Sequence, residues 1–226
     1  MILLRFILIK RNRDETQKEL ADMTMKVRPE IPTAENSTNF DVVSNSTTVV
    51  GTTLDNLKAA IAGETGASTK YAAFAKAAKE QGYDQIARLF EATSAAEQIH
   101  IGLEYALVSD MDPDYQKPTA DAPAAEASDL NLISGACGEI YETSDMYPAF
   151  IKKAQEEGNA KAVQVFTRAK LAESVHAERY LDAYNNIDAP DDDKFYLCPI
   201  CGYIHKGEDF EKCPICFCPK STFTAF

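Results

Sequence analysis

The sequence predicts a mainly α protein: a four-helix bundle with one long crossover, followed by a small cysteine-rich unit. Three observations lead there. Four stretches carry apolar residues at helical spacing, the joins between them run short, long, short, and five of the six cysteines fall between Cys198 and Cys218. A length of 226 residues suits one sizeable domain plus a small one.

Residues 1–52 read as an N-terminal extension, flexible from about residue 26 because Ser, Thr, Asn and Pro abound there without periodicity. Its opening, MILLRFILIKRNR, puts apolar residues before basic ones, the reverse of a secretory signal. Met23 and Met25 let residues 1 to about 24 be read as an extension or a mis-assigned start, and the NST triplets at Asn36 and Asn45 as idle sequons. The first helix is expected over 53–81, capped by Thr53 and stopped by Gly82, with Leu57, Ile61, Ser68, Tyr71 and Ala75 on its inner stripe. The second is expected over 83–109, the third over 127–157 ending at Gly158, and the fourth over 159–186. DMDPDYQKPTADAPAA, between the second and third, is too long and Pro-rich for a tight turn, so helices one and two, and three and four, form antiparallel hairpins. The bundle thus spans 53–187, an acidic linker 188–194, and the cysteine-rich unit 195–226.

A net charge of −12 opposes a nucleic-acid partner, and no apolar run approaches the roughly 18 residues of a membrane span. Cysteines clustered in C-x-x-C pairs point to metal in a reducing compartment rather than disulfides, which favours the cytoplasm. The N-terminal extension leaves organellar targeting open.

The chain has only three histidines, and two of them end the same pattern: EQIH, Glu97 to His100, and ESVH, Glu173 to His176. Residues three apart in a helix share a face, so each stretch aims a carboxylate and an imidazole in one direction. Glu64 on the first helix and Glu139 on the third also interrupt inward apolar stripes. Glu64 to Glu97 is 33 residues and Glu139 to Glu173 is 34, so each half repeats one Glu followed by Glu-x-x-His. Buried carboxylates without compensation are very costly, and two cations remove that cost. Oxygen-plus-imidazole ligation suits iron or manganese, in the arrangement known from di-iron carboxylate bundles. Glu142 breaks the symmetry, since its counterpart is Ala67. Glu91, Glu104, Glu156 and Glu178 are expected to be surface charges.

In the C-terminal unit, Cys198-x-x-Cys201 and Cys213-x-x-Cys216 have 11 residues between them, two knuckles of a tetrathiolate site. Spacing alone allows zinc or iron. His205 is expected to be no ligand, Cys218 to be a free thiol or a competing ligand, and Cys137 a packing residue.

Taken together, AIAGETGASTKYAAFAKAAKEQGY, GEIYETSDMYPAF, ESVHAERYLDAY and CPICGYIHKG…KCPIC resemble the rubrerythrins from about residue 53 to the end. The resemblance implies a ferritin-like bundle holding two Fe on Glu64, Glu97, His100, Glu139, Glu142, Glu173 and His176. It implies one further Fe on Cys198, Cys201, Cys213 and Cys216 of a rubredoxin-like domain, Tyr71 and Tyr147 behind the metal-bound carboxylates, and exchange of Glu142 with His100 on one iron. The implied activity is reduction of hydrogen peroxide to water, fed by a rubredoxin or an NAD(P)H-dependent reductase, in a head-to-tail homodimer where each tail serves its partner. A ferroxidase, or a non-enzymatic protein with a zinc tail, are the alternatives. The chain departs from the family at Phe217, where a Gly usually follows the last knuckle cysteine, at Cys218 and at Gly66.

Overall fold

The computed structural model describes residues 40–189 and 191–226. The readings made on residues 1–39 lie outside them. Among the described residues there are four long helices: α1 (Thr53–Glu80), α2 (Asp84–Met111), a composite third helix and α5 (Ala160–Asn185). The third consists of α3 (Ser128–Tyr141), a π-helical turn Glu142–Met146 and α4 (Tyr147–Glu156). The short joins turn on Gly82 (φ 83°) and Gly158 (φ 69°), a left-handed backbone that costs glycine little. α1 is capped by Thr52, one residue earlier than expected, in a reciprocal box with Asp55.

Each helix passes through two apolar clusters. Leu57, Ile61, Met146, Tyr147, Phe150 and Phe166 fill one end, and Tyr71, Phe74, Phe90, Leu132 and Tyr180 the other. The predicted ligands lie between these clusters along every helix. The apolar ends therefore fix the height at which a polar layer can be buried.

The π turn has a local cause and an outside partner. From Glu64 to Tyr71 is seven residues, two α-turns; from Glu139 to Tyr147 is eight. The wide turn takes up the additional residue, with Tyr147 N–H donating five residues back to Glu142 O. Pro148 has no N–H to give to Ser144 O. That carbonyl instead accepts Val43 N–H at 3.0 Å from the segment before α1. The same segment ties down Asp145, whose carboxylate accepts from Thr47 N (2.9 Å), Thr47 Oγ1 (2.9 Å), Thr48 Oγ1 (3.1 Å) and Ser46 Oγ. Phe40 is buried. Residues 40–52, expected to be flexible, form a strap bound to the π turn, because that turn exposes groups only another chain segment can satisfy.

The C-terminal unit is a three-stranded antiparallel sheet ordered β2-β1-β3: β1 (Phe195–Leu197), β2 (Ile204–Lys206) and β3 (Thr224–Ala225). It rests on its own bundle. Leu171, Ala172 and Val175 of α5 cluster with Cys198, Cys201, Tyr203 and Ile215, and Lys206 pairs with Asp182 (3.0 Å) and Asp191 (2.7 Å).

Candidate metal centres

The repeated pattern brings its side chains into one layer. Ligand atoms of Glu64, Glu97, His100 and Glu173 lie within 4.8 Å of one another, as do those of Glu97, Glu139, Glu173 and His176. Glu97 and Glu173 belong to both groups and face both histidines. Glu173 Oε1 is 2.7 Å from His100 Nδ1 and its Oε2 is 2.7 Å from His176 Nδ1, yet neither contact is aligned as a hydrogen bond. Glu97 Oε2 lies 3.1 Å from His100 Nδ1, and Glu139 Oε2 lies 3.3 Å from His176 Nδ1. Glu173, which faces both imidazoles without an aligned hydrogen bond to either, is placed to share a cation with each of them.

Electrostatics point the same way. Burial, then the charge on Glu173, pushes Glu64 and Glu139 up to about 7. Burial likewise holds Glu97 and Glu142 well above the usual carboxylate range. Burial would raise Glu173 too, but the two imidazoles beside it hold it well below that range. Burial disfavours a charged His176, but Glu173 and Glu139 push it up to about 9. The metal-free chain thus balances its surplus of carboxylates with protons, and divalent ions would displace them. Glu64 Oε2, Glu97 Oε1 and Glu142 Oε2 are buried without hydrogen-bond partners, which ions would also resolve.

Outward of the ligands, the geometry fixes the tautomers. His100 Nε2 lies 3.1 Å from Cys201 O and His176 Nε2 lies 2.8 Å from Gly202 O. A carbonyl only accepts, so both Nε2 atoms carry hydrogen and Nδ1 is left to face the layer. The phenols are reciprocal: Tyr71 of α1 donates to Glu139 of α3, and Tyr147 of α4 donates to Glu64 of α1.

Glu142 is buried beside this layer but falls in neither four-residue group. Glu104, expected on the surface, is fully buried, with Oε1 3.0 Å from Tyr147 Oη. A signal for it was present: it lies seven residues after Glu97 and four after His100, on the ligand face of α2. Glu91 and Glu156 are exposed and Glu178 is half-buried.

The four cysteines Cys198, Cys201, Cys213 and Cys216 form the second cluster. Cys201 Sγ lies 3.6 Å from Cys198 Sγ and 3.5 Å from Cys213 Sγ. Ile215 and Cys216 N–H groups point at Cys213 Sγ, each at 3.4 Å, and favour its thiolate. Phe217, standing where the family usually has Gly, takes a φ of 62°, a left-handed backbone that strains a bulky residue, with its side chain turned to solvent. Cys218 Sγ sits 3.3 Å from Cys198 Sγ, so this departure does touch the cluster. His205 bonds Tyr203 and packs on Phe210 instead, and Cys137 is half-buried and packs against the apolar cluster at its end of the bundle, as expected.

A four-helix bundle with two interleaved carboxylate–imidazole groups and a tetracysteine knuckle defines a di-iron carboxylate protein with a rubredoxin-like domain. The family model described as Rubrerythrin matches residues 55–184. The chain is 79% identical over 202 residues to nigerythrin of Nitratidesulfovibrio vulgaris, covering 89% of this chain and 100% of that one. It is 34% identical over 179 residues to rubrerythrin of the same organism, covering 74% of this chain and 91% of that one. The solved structure of fully reduced, all-ferrous nigerythrin superposes with a TM-score of 0.83, covering 89% of this chain and 100% of that one. The chain belongs to the rubrerythrin family, whose di-iron centre and rubredoxin-like iron match the two clusters present here. Among the described residues no helix is long and apolar enough to cross a membrane.

Proposed function

We propose that this chain is a non-haem di-iron peroxidase that reduces hydrogen peroxide to water, with electrons relayed through its tetracysteine iron. One iron would be held by Glu64, Glu97, His100 and Glu173 and the other by Glu97, Glu139, Glu173 and His176, with Glu142 as an additional carboxylate for one of them. Cys198, Cys201, Cys213 and Cys216 would hold the third. When bound, the ferrous pair supplies two electrons and Lewis acidity to the O–O bond.

The observation that carries this reading is the direct seam between the two clusters. Cys201 and Gly202 accept hydrogen bonds from the Nε2 atoms of His100 and His176, so a knuckle ligand is one hydrogen bond from an imidazole ligand. Iron storage has no use for such a seam, and a reductase that must be recharged one electron at a time does. Tyr71 and Tyr147 hold Glu139 and Glu64 in place, and the apolar clusters on either side exclude bulk water.

The division is then 53–187 for the bundle, 188–194 for the linker and 195–226 for the relay domain. The external donor is a rubredoxin or an NAD(P)H-dependent reductase. In the head-to-tail homodimer, tails exchanged at the acidic linker keep the same carbonyl–imidazole contacts across copies, so the seam serves either arrangement.

The test is stopped-flow reoxidation of the fully reduced, iron-loaded protein, comparing peroxide with dioxygen while following the red ferric tetrathiolate colour. Return of colour far faster with peroxide is the expected result. Equal rates would replace this reading with an oxidase or ferroxidase, and a colourless tail with a zinc-bearing protein.

A further inference from the structure

Glu104 is left over by the ligand set, although it is fully buried beside it. Its Oε2 has no hydrogen-bond partner, and its Oε1 lies 3.0 Å from Tyr147 Oη. That phenol oxygen makes its closer contact with Glu64 Oε1. A phenol carries a single hydrogen, and Glu64, a carboxylate with no proton of its own when it holds a metal, takes it through the closer contact. Glu104 can then bond the same oxygen only with a hydrogen of its own. The three groups therefore form a directed chain, Glu104 Oε1–H to Tyr147 Oη–H to Glu64, which ends on a carboxylate of the metal layer.

The internal repeat shows that this chain is one-sided. A shift of 76 residues carries Glu97 onto Glu173, His100 onto His176 and Tyr71 onto Tyr147. The same shift carries Glu104 onto Tyr180, whose ring packs 5.4 Å from Tyr71. One phenol is thus backed by an acid and the other by an aromatic ring. An apolar side chain at 104 would avoid the burial cost that an acid carries there. The groups facing Glu104 are Glu64 from α1, Tyr147 from α4, His100 on its own helix, Glu173 from α5 and Tyr115 of the crossover.

We propose that Glu104 is a proton-relay residue that delivers, through Tyr147, one of the two protons consumed when peroxide is reduced at the di-iron layer. The balance is H2O2 + 2 e− + 2 H+ → 2 H2O, the two electrons being those a bound ferrous pair would supply. As the Tyr147 proton passes toward Glu64 and the cleaved oxygen, the Glu104 proton replaces it on Tyr147. Glu104 is left as a carboxylate and regains a proton from solvent between turnovers. The proposal rests on the peroxidase reading above.

The test compares the iron-loaded protein with its Glu104→Gln variant. Glutamine fills the same space and still donates to Tyr147 Oη, but has no proton to pass on. Infrared spectra in H2O and D2O read the acid directly: the parent is expected to show a neutral carboxyl C=O band, shifted by deuterium and missing from the variant. In single-turnover reoxidation by peroxide the variant is expected to be slower by about 10²-fold, the scale of a lost general acid, with iron content and peroxide KM unchanged. A parent without the band, a variant at the parent's rate, or a variant that fails to take up iron would each overturn the relay. If the parent itself ignores peroxide, the peroxidase reading fails, while the infrared band still reports whether Glu104 holds the proton.

Discussion

At the scale of single residues, Gly202 has the most demanding place in the molecule. Its φ is 77°, and a Cβ built on it would overlap the imidazole of His100. Its own carbonyl meanwhile accepts from His176. Any side chain here must both strain the knuckle and push the cysteine-rich unit off the histidines. Gly202→Ala is therefore expected to destabilise docking by about 1–3 kcal/mol and to slow electron transfer from the tetracysteine iron, while leaving both metal clusters loaded. The check is the rate at which a pre-reduced tail decolorises on peroxide addition, against iron content. A variant with the parent's rate would show that the seam is not the electron route. The motif made a Gly between the knuckle and Tyr203 legible. The reason for it was not, because His100 lies about a hundred residues away in the chain.

At the scale of elements, the π turn and the strap depend on each other. The additional residue between Glu139 and Tyr147, and Pro148 just beyond, are both visible in the sequence and together require an interruption in the third helix. What satisfies the interruption was not visible. The segment VVSNSTT has no helical or alternating pattern, so it reads as flexible. It becomes ordered only because Asp145 and the Ser144 carbonyl are waiting for its N–H and hydroxyl groups. Asp145→Asn, which keeps the size but removes the charge that accepts these bonds, is expected to cost about 1.5–3 kcal/mol. Urea unfolding should record that loss. Amide exchange at Val43 should accelerate with it, since the strap would lose its principal anchor. An unchanged Val43 amide would mean that the strap is held elsewhere.

At the scale of the whole molecule, the layer of buried carboxylates makes stability depend on metal and pH together. In the metal-free chain Glu64 and Glu139 rise from an ordinary 4.5 to about 7, and His176 from 6.5 to about 9. A raised pKa means that the folded state holds its proton more tightly. The corresponding stability is complete below the ordinary value and is lost as pH rises through the raised one. The thermal midpoint of metal-free protein should therefore fall between about pH 5 and pH 9. The loaded protein should lack this decline, because metal binding has already displaced the protons of its ligands into solvent. Calorimetry of both forms across that range decides the matter, and a metal-free midpoint that rises with pH would contradict the assignment of this layer.

The sequence alone determined which residues could form the two metal clusters. Glu-x-x-His on helical stretches and C-x-x-C pairs are local patterns, and a helix or knuckle presents them on one face whatever surrounds it. The helix count, the short–long–short joins and the strained Phe217 are local in the same sense. Only the tertiary structure decided how those pieces serve one another. Glu104 became a buried acid because Tyr147 of another helix meets it, and the strap became ordered because the π turn left groups unpaired. The cysteine-rich unit lies against the histidines because two carbonyls face two Nε2 hydrogens across the seam. In each case the partner comes from a distant part of the chain, and the free energy that selects the arrangement exists only once both halves are buried together.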